Sequence, residues 1–321
     1  MDSREVKISD SVDYSVSSKP RTKLTNSEVV ITSLLAGAIA GALAKTTIAP
    51  LDRTKINFQI SRVPYSAGKA LQFLKETYIK DGFFALWRGN TATLARIIPY
   101  AAINFTAHEQ WKRILKLDQN TKENRDSHMR RFLSGSLAGV TSQSLTYPLD
   151  LARARMAVTA KDEYSTLRQV FVKIWIEEGP RTFYRGYVPT ILGVIPYAGV
   201  SFFTYDTLKN SYKDYYGAFP TNPMISLVFG AVAGALGQTS SYPLDIVRRR
   251  MQTSRPKANM PKKTIIQTLI KIYREEGIIG GFFKGLSMNW VKGPIAVGIS
   301  FATYDRIKEF LRDIAFKVDI V

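Results

Sequence analysis

Three aspartates each carry a base three positions further on: Asp52 with Lys55, Asp150 with Arg153, and Asp245 with Arg248. Glu109 with Lys112, Asp206 with Lys209, and Asp305 with Lys308 repeat the spacing. On a helix, residues three apart lie on one face about a turn from each other. Within one helix such a pair is worth about 0.2–0.5 kcal/mol. Closed between helices, the same charges could fasten elements together. Covalent chemistry has little to work with. The absence of cysteine excludes a disulfide framework, a Cys-based zinc site and a thiol nucleophile. His108 and His128 are the only histidines, which leaves little for a His-ligated metal or a Ser-His-Asp triad. The repeated carboxylates already have basic neighbours, and no nucleophile–base constellation stands out, so an enzyme is not expected.

The elements that must position these charges recur with them. Pro50, Pro148 and Pro243 each precede an acid by two residues and are 98 and 95 residues apart. Upstream lie the pairs Gly37 and Gly41, Gly135 and Gly139, and Gly230 and Gly234, at the same offsets. Downstream come acid–Gly steps at Asp81-Gly82, Glu178-Gly179 and Glu276-Gly277. Aromatic–base–Gly steps follow at Trp87-Arg88-Gly89, Tyr184-Arg185-Gly186 and Phe283-Lys284-Gly285. Such ordered recurrence marks a triplicated unit of roughly a hundred residues. The units are read as 28–125, 126–218 and 219–321, behind a polar leader over 1–27.

Each unit holds two apolar runs. Val29–Ala44, Phe132–Leu149 and Met224–Leu244 carry no charge; Ile97–Ala107, Tyr187–Tyr205 and Gly293–Tyr304 form the second set. Several approach the ~20 residues that cross a hydrocarbon core of about 30 Å, and others span it only with a polar stripe turned from lipid. Between the runs lie amphipathic stretches, Ala67–Lys80, Leu167–Glu177 and Thr264–Glu275, which the acid–Gly steps terminate. The Gly-xxx-Gly pairs suit close backbone approach in lipid. A soluble helical repeat protein is the competing reading, but solenoid repeats usually run 20–50 residues.

The composition gives 45 Lys plus Arg against 26 Asp plus Glu, a net charge of +19, with 45% hydrophobic residues. Mean hydropathy is −0.09. This excludes a disordered chain and points to anionic partners. A nucleic-acid binder would need a basic face on a recognisable module; the bases are instead spread over loops and helix ends, so no nucleic-acid partner is expected. The leader has no apolar h-region and carries Asp2, Glu5, Asp10 and Asp13, so it fits neither a secretory signal nor a transit peptide.

Pro-x-Asp-x-x-Lys/Arg, followed by acid–Gly and aromatic–base–Gly in all three units, resembles the signature of the mitochondrial carrier family from residue 28 to the C-terminus. The resemblance implies an all-α membrane protein: six transmembrane helices in a pseudo-threefold bundle, three short matrix helices, one central site, and a multi-pass place in the mitochondrial inner membrane. It implies a matrix gate of Asp52–Arg153, Asp150–Arg248 and Asp245–Lys55. Gln59 and Gln252 would brace it, with Ala157 at the third bracing position. A cytoplasmic gate would use Glu109, Lys112, Asp206, Lys209, Asp305 and Lys308, with His108 where Tyr205 and Tyr304 keep the usual aromatic. The prolines are expected to bend their helices inward at the gate.

The family's substrate contact points fall on Arg96, on Gly193 with Val194, and on Lys292; Lys45 adds a cation that ADP/ATP carriers share. A structural cation facing lipid headgroups is the alternative for Arg96, Lys292 and Lys45. Gly-Val at the second point resembles adenine-nucleotide carriers. The run Arg248–Gln252 departs from the ADP/ATP type, and no calcium-binding loops precede the first unit. Ala49–Lys55, Gly193–Ala198 and Gly285–Phe301 are similar to the branch that carries coenzyme A. The resemblance therefore implies exchange of coenzyme A or dephospho-coenzyme A for ADP or adenosine 3′,5′-bisphosphate, with ATP-Mg/phosphate or ADP/ATP exchange as alternatives. Cardiolipin is expected at the helix starts near Gly89, Gly186 and Gly285. A monomer is expected, with no cofactor and no metal.

Overall fold

The computed structural model describes residues 26–116, 128–159, 163–217, 222–255 and 264–318. The leader lies outside these up to residue 25. Among the described residues there are six long helices: α1 (Asn26–Ile60), α3 (Asn90–Ile114), α4 (His128–Val158), α6 (Tyr187–Tyr216), α7 (Pro223–Thr253) and α9 (Leu286–Val318). Three shorter ones link the members of successive pairs: α2 (Ala67–Asp81), α5 (Leu167–Lys173) and α8 (Ile265–Glu276). No strand occurs among the described residues.

Local chemistry sets the short helices. Ser66, Thr166 and Thr264 accept from backbone N–H groups three residues on, satisfying donors that a helix start leaves free. Thr264 and Gln267 form a reciprocal capping box. Each short helix stops at the glycine of its acid–Gly step. α5 first runs on as a π-helical turn, Ile174–Glu178, so that Glu178 is delivered at its end.

The long helices pack α3 along α4, α6 along α7, and α9 along α1, so the last helix meets the first and the bundle closes on itself. α1, α4 and α7 also touch one another. They run unbroken through Pro50, Pro148 and Pro243. A proline inside a helix removes the N–H that the carbonyl four residues earlier would accept. At Pro50 that carbonyl belongs to Thr46, and the Trp87 indole N–H fills it at 2.7 Å.

The repeated Gly-xxx-Gly pairs do not make the close helix contact expected of them. A Cβ at Gly41, Gly135, Gly139, Gly230 or Gly234 would meet nothing within 4 Å, and at Gly37 only Tyr304 at 3.9 Å. Gly135 and Gly139 instead line a central cavity, where the missing side chain leaves room. Close approach falls elsewhere: a Cβ on Gly237 of α7 would lie 2.7 Å from the Tyr197 carbonyl of α6.

The outer surface is apolar, with Ile98, Leu145, Ile195, Phe203 and Phe301 all more than half exposed. A soluble monomer rarely exposes large contiguous patches of this kind. Three segments are long and apolar enough to cross a membrane by length and composition: Glu28–Ile60, Pro180–Tyr216 and Pro223–Thr253.

Candidate functional site

At the proline end of the bundle, three acids and three bases close a ring between helices. Lys55 Nζ of α1 lies 2.9 Å from Asp245 of α7. Arg153 of α4 donates to Asp52 of α1, and Arg248 of α7 donates to Asp150 of α4. The three-residue spacing thus serves neighbours rather than its own helix. The rise of two residues between proline and acid puts all three carboxylates at one level; Asp52 and Asp150 are buried, and Asp245 is partly exposed.

Two glutamines complete two corners. Gln59 donates to Asp245 at 3.0 Å and to the Tyr242 hydroxyl at 3.3 Å; Gln252 donates to Asp150 at 2.8 Å and to the Tyr147 hydroxyl at 3.0 Å. Those hydroxyls in turn donate to the backbone carbonyls of Lys284 and Arg185. At the Asp52 corner the third position is Ala157, and its carbonyl accepts from Arg53 Nε at 3.2 Å and Asn57 at 3.0 Å. Asp52 is held instead by Lys292, 2.7 Å away.

α3 and α6 begin against the ring. Gly186, with φ +85°, packs so tightly that a Cβ would lie 3.0 Å from the Tyr147 hydroxyl and 3.1 Å from the Arg248 carbonyl. Gly89 meets the Arg153 carbonyl in the same way. The glycines of the first two aromatic–base–Gly steps are thus where α3 and α6 reach a ring-bearing residue, whereas a Cβ at Gly285 would make only ordinary contact, 3.5 Å from the Tyr242 hydroxyl.

Outside the ring, bases tie the short helices down. Both Nη atoms of Arg155 bond both carboxylate oxygens of Glu178, and Arg250 lies 2.6 Å from Glu276, which Lys284 also meets. In the first unit that arginine position is Asn57. Arg53, one turn earlier, reaches Asp81 at only 4.0 Å.

Above the ring lies a cavity of about 720 Å³, with Tyr100, Gly193, Val194, Arg248, Arg249 and Lys292 in its wall. Arg96 sits at its edge: Nη2 donates to Gln143 of the wall at 2.6 Å, Nε to Thr146 at 3.2 Å, and Nη1 lies 3.4 Å from Asp150. Its guanidinium also stacks over Tyr100, 4.8 Å from the ring centre. Arg96 and Lys292 therefore both reach ring carboxylates from beside the cavity. Lys45 borders a narrow crevice with Asp52 and Arg153.

At the opposite end no second ring is assembled among the described residues. Lys112 bonds Glu109 of its own helix at 3.0 Å. No ion pair between helices joins Glu109, Asp206 or Asp305 to a base among the described residues. The ion-pair ring fastens the structure at the proline end.

Sequence reasoning missed Tyr147 and Tyr242, each directly before a repeated proline, whereas the first unit has Ala49. It also missed Gln143 and Thr146, which hold Arg96. The Tyr-Pro pairing was the available signal for the former; nothing local marked the latter.

A family model described as mitochondrial carrier protein matches residues 26–119, 124–216 and 219–315. The human mitochondrial coenzyme A transporter SLC25A42 is 56% identical over 283 residues, covering 88% of this chain and 89% of that protein. Its Xenopus tropicalis counterpart is 52% identical over 295 residues, 92% and 90% of the two chains. Mouse solute carrier family 25 member 16 is 41% identical over 294 residues, 87% of each.

Proposed function

This chain belongs to the mitochondrial carrier protein family and is a transporter of the mitochondrial inner membrane rather than an enzyme, and from that premise we propose that it exchanges coenzyme A, or its dephospho form, for an adenine nucleotide such as ADP or adenosine 3′,5′-bisphosphate. All six long helices cross the membrane, the closed ring faces the matrix, and α2, α5 and α8 lie along the matrix surface. The open cavity faces the cytosol. The three units act as one monomer, with cardiolipin phosphates at the starts of α3, α6 and α9.

One observation carries this reading: the cations beside the cavity are the same ones that bond the ring. Lys292 holds Asp52, and Arg96 lies against Asp150. An incoming phosphate competes with those carboxylates for the same donors, Arg96 bidentately and Lys292 as a point charge. Drawing them off weakens two corners of the ring. At an effective dielectric near 20 a close pair gains about 4 kcal/mol before desolvation and much less after it, so the loss of one partner is enough to matter. Binding shifts the equilibrium only through a difference in affinity between states, and a phosphate bound between the gates supplies that difference. Glu109, Asp206 and Asp305 then pair with Lys112, Lys209 and Lys308 of neighbouring helices as the cytosolic end closes.

Gly193 and Val194 support an adenine moiety. Gly193 exposes backbone in the cavity wall beside Leu244, leaving space for a flat base. Purified protein in liposomes should exchange labelled coenzyme A, and Arg96→Ala and Lys292→Ala should each reduce the rate at least tenfold. Normal exchange in both variants would overturn the site, and selective transport of ATP or ADP alone would overturn the substrate.

A further inference from the structure

Threefold recurrence makes departures from it informative, because an asymmetric ligand can be read only by residues that are not repeated. Six residues after the repeated prolines stand Ile56, Ala154 and Arg249. The first two are buried and apolar. In the third unit the same register carries a guanidinium, and Arg249 lines the cavity floor beside Arg248.

The ring does not need this charge. Asp52 is bonded by Arg153 and Lys292, Asp150 by Arg248, Gln252 and the more distant Arg96, and Asp245 by Lys55 and Gln59. Arg249 approaches Asp150 only to 3.9 Å. Its Nη1 donates to the Gln252 side-chain oxygen at 3.0 Å, and its buried Nε has no partner. With Asp150 distant and Gln252 its one hydrogen-bonded partner, this guanidinium is incompletely satisfied, and an anion entering the cavity would complete it.

We propose that Arg249 is the subsite for a second phosphate of the transported ligand, a phosphate monoester set apart from the group bound by Arg96 and Lys292. This rests on the coenzyme A reading and deepens it, because coenzyme A and dephospho-coenzyme A differ only in a 3′-phosphate. The spacing fits. Gly193, the adenine contact, lies 3.7 Å (from its Cβ position) from Leu244 on α7. Arg249 is five residues further along α7, about 7.5 Å at 1.5 Å per residue. That span takes the ligand from its base past the ribose to the 3′-oxygen. The planar fork of arginine then meets phosphate oxygens in a way that the isoleucine or alanine of the other units does not.

The test is ligand-induced thermal stabilisation of the detergent-solubilised full chain, titrated separately with coenzyme A and dephospho-coenzyme A. The native chain should bind coenzyme A at least tenfold more tightly. Arg249→Gln should collapse that ratio towards one, and Arg249→Lys, which keeps the charge but loses the fork, should give an intermediate ratio. Native protein that binds both ligands equally, or a ratio that survives Arg249→Gln, would overturn the subsite while leaving the coenzyme A reading intact. Native protein stabilised by neither ligand would overturn both. If Arg249→Gln does not fold, the ratio in Arg249→Lys decides: unchanged from the native value, it too sinks the assignment.

Discussion

At the scale of single residues, the ring corners are not equivalent, and their partners say how each should fail. Lys55 is buried and its partner Asp245 is 23% exposed, so removing Lys55 leaves a partly buried carboxylate with only Gln59 bonded to it. We expect Lys55→Ala to cost about 3–5 kcal/mol in a thermal or denaturant melt, and the double variant Lys55→Ala/Asp245→Ala to cost less than the sum of the two singles. Additive losses would mean that the pair is not coupled. Gln252→Ala strips a donor from Asp150 and from the Tyr147 hydroxyl, so a loss of about 1–3 kcal/mol is expected. Much of this was legible beforehand: the acid–base pairings and both glutamines followed from the family pattern, and the structure brings those residues together. The double role of Lys292 and Arg96 was not legible, because a bond from one unit to a carboxylate of another depends on how far each helix is rotated, which no spacing along the chain records.

Among the elements, the glycines divide by what surrounds them rather than by motif. Gly186 combines a positive φ with three neighbours at 3.0–3.1 Å. Gly186→Ala should therefore strain the start of α6 by about 1–3 kcal/mol and push it off the ring. Gly135→Ala meets nothing within 4 Å and should melt within about 0.5 kcal/mol of the native chain, while slowing exchange by narrowing the cavity. Comparable melting losses in both would show that the cavity wall is a packing contact after all. The Gly-xxx-Gly repeat illustrates a limit of pattern reading: a stripe of small residues fits equally well against a neighbouring helix or along a void, and only the closure of the bundle decides. Helix positions were easier. The stretches expected over 67–80, 167–177 and 264–275 match α2, α5 with its π turn, and α8 to within a residue or two, because caps and acid–Gly stops act locally.

For the whole molecule, threefold likeness hides unequal strength. Glu178 is gripped by both arms of Arg155 in a buried site, whereas Asp81, about a third exposed, is approached by Arg53 only to 4.0 Å. Glu178→Gln should lower stability by about 3–5 kcal/mol and Asp81→Asn by about 0–1 kcal/mol; equal effects would contradict the unequal tethering of the three units. The displaced arginine was visible in the sequence as Asn57 against Arg155 and Arg250, but its consequence required the position of Asp81. The absence of cysteine makes the central claim directly measurable, since spin labels attach only where cysteines are introduced. Labels at exposed Ile114 of α3 and Tyr216 of α6, both at the open end, report its width by pulsed electron resonance in liposomes. Saturating coenzyme A should add a shorter-distance population, and Lys292→Ala should abolish that shift. An unchanged distance distribution while labelled coenzyme A is being exchanged would contradict ligand-driven alternation of the two gates.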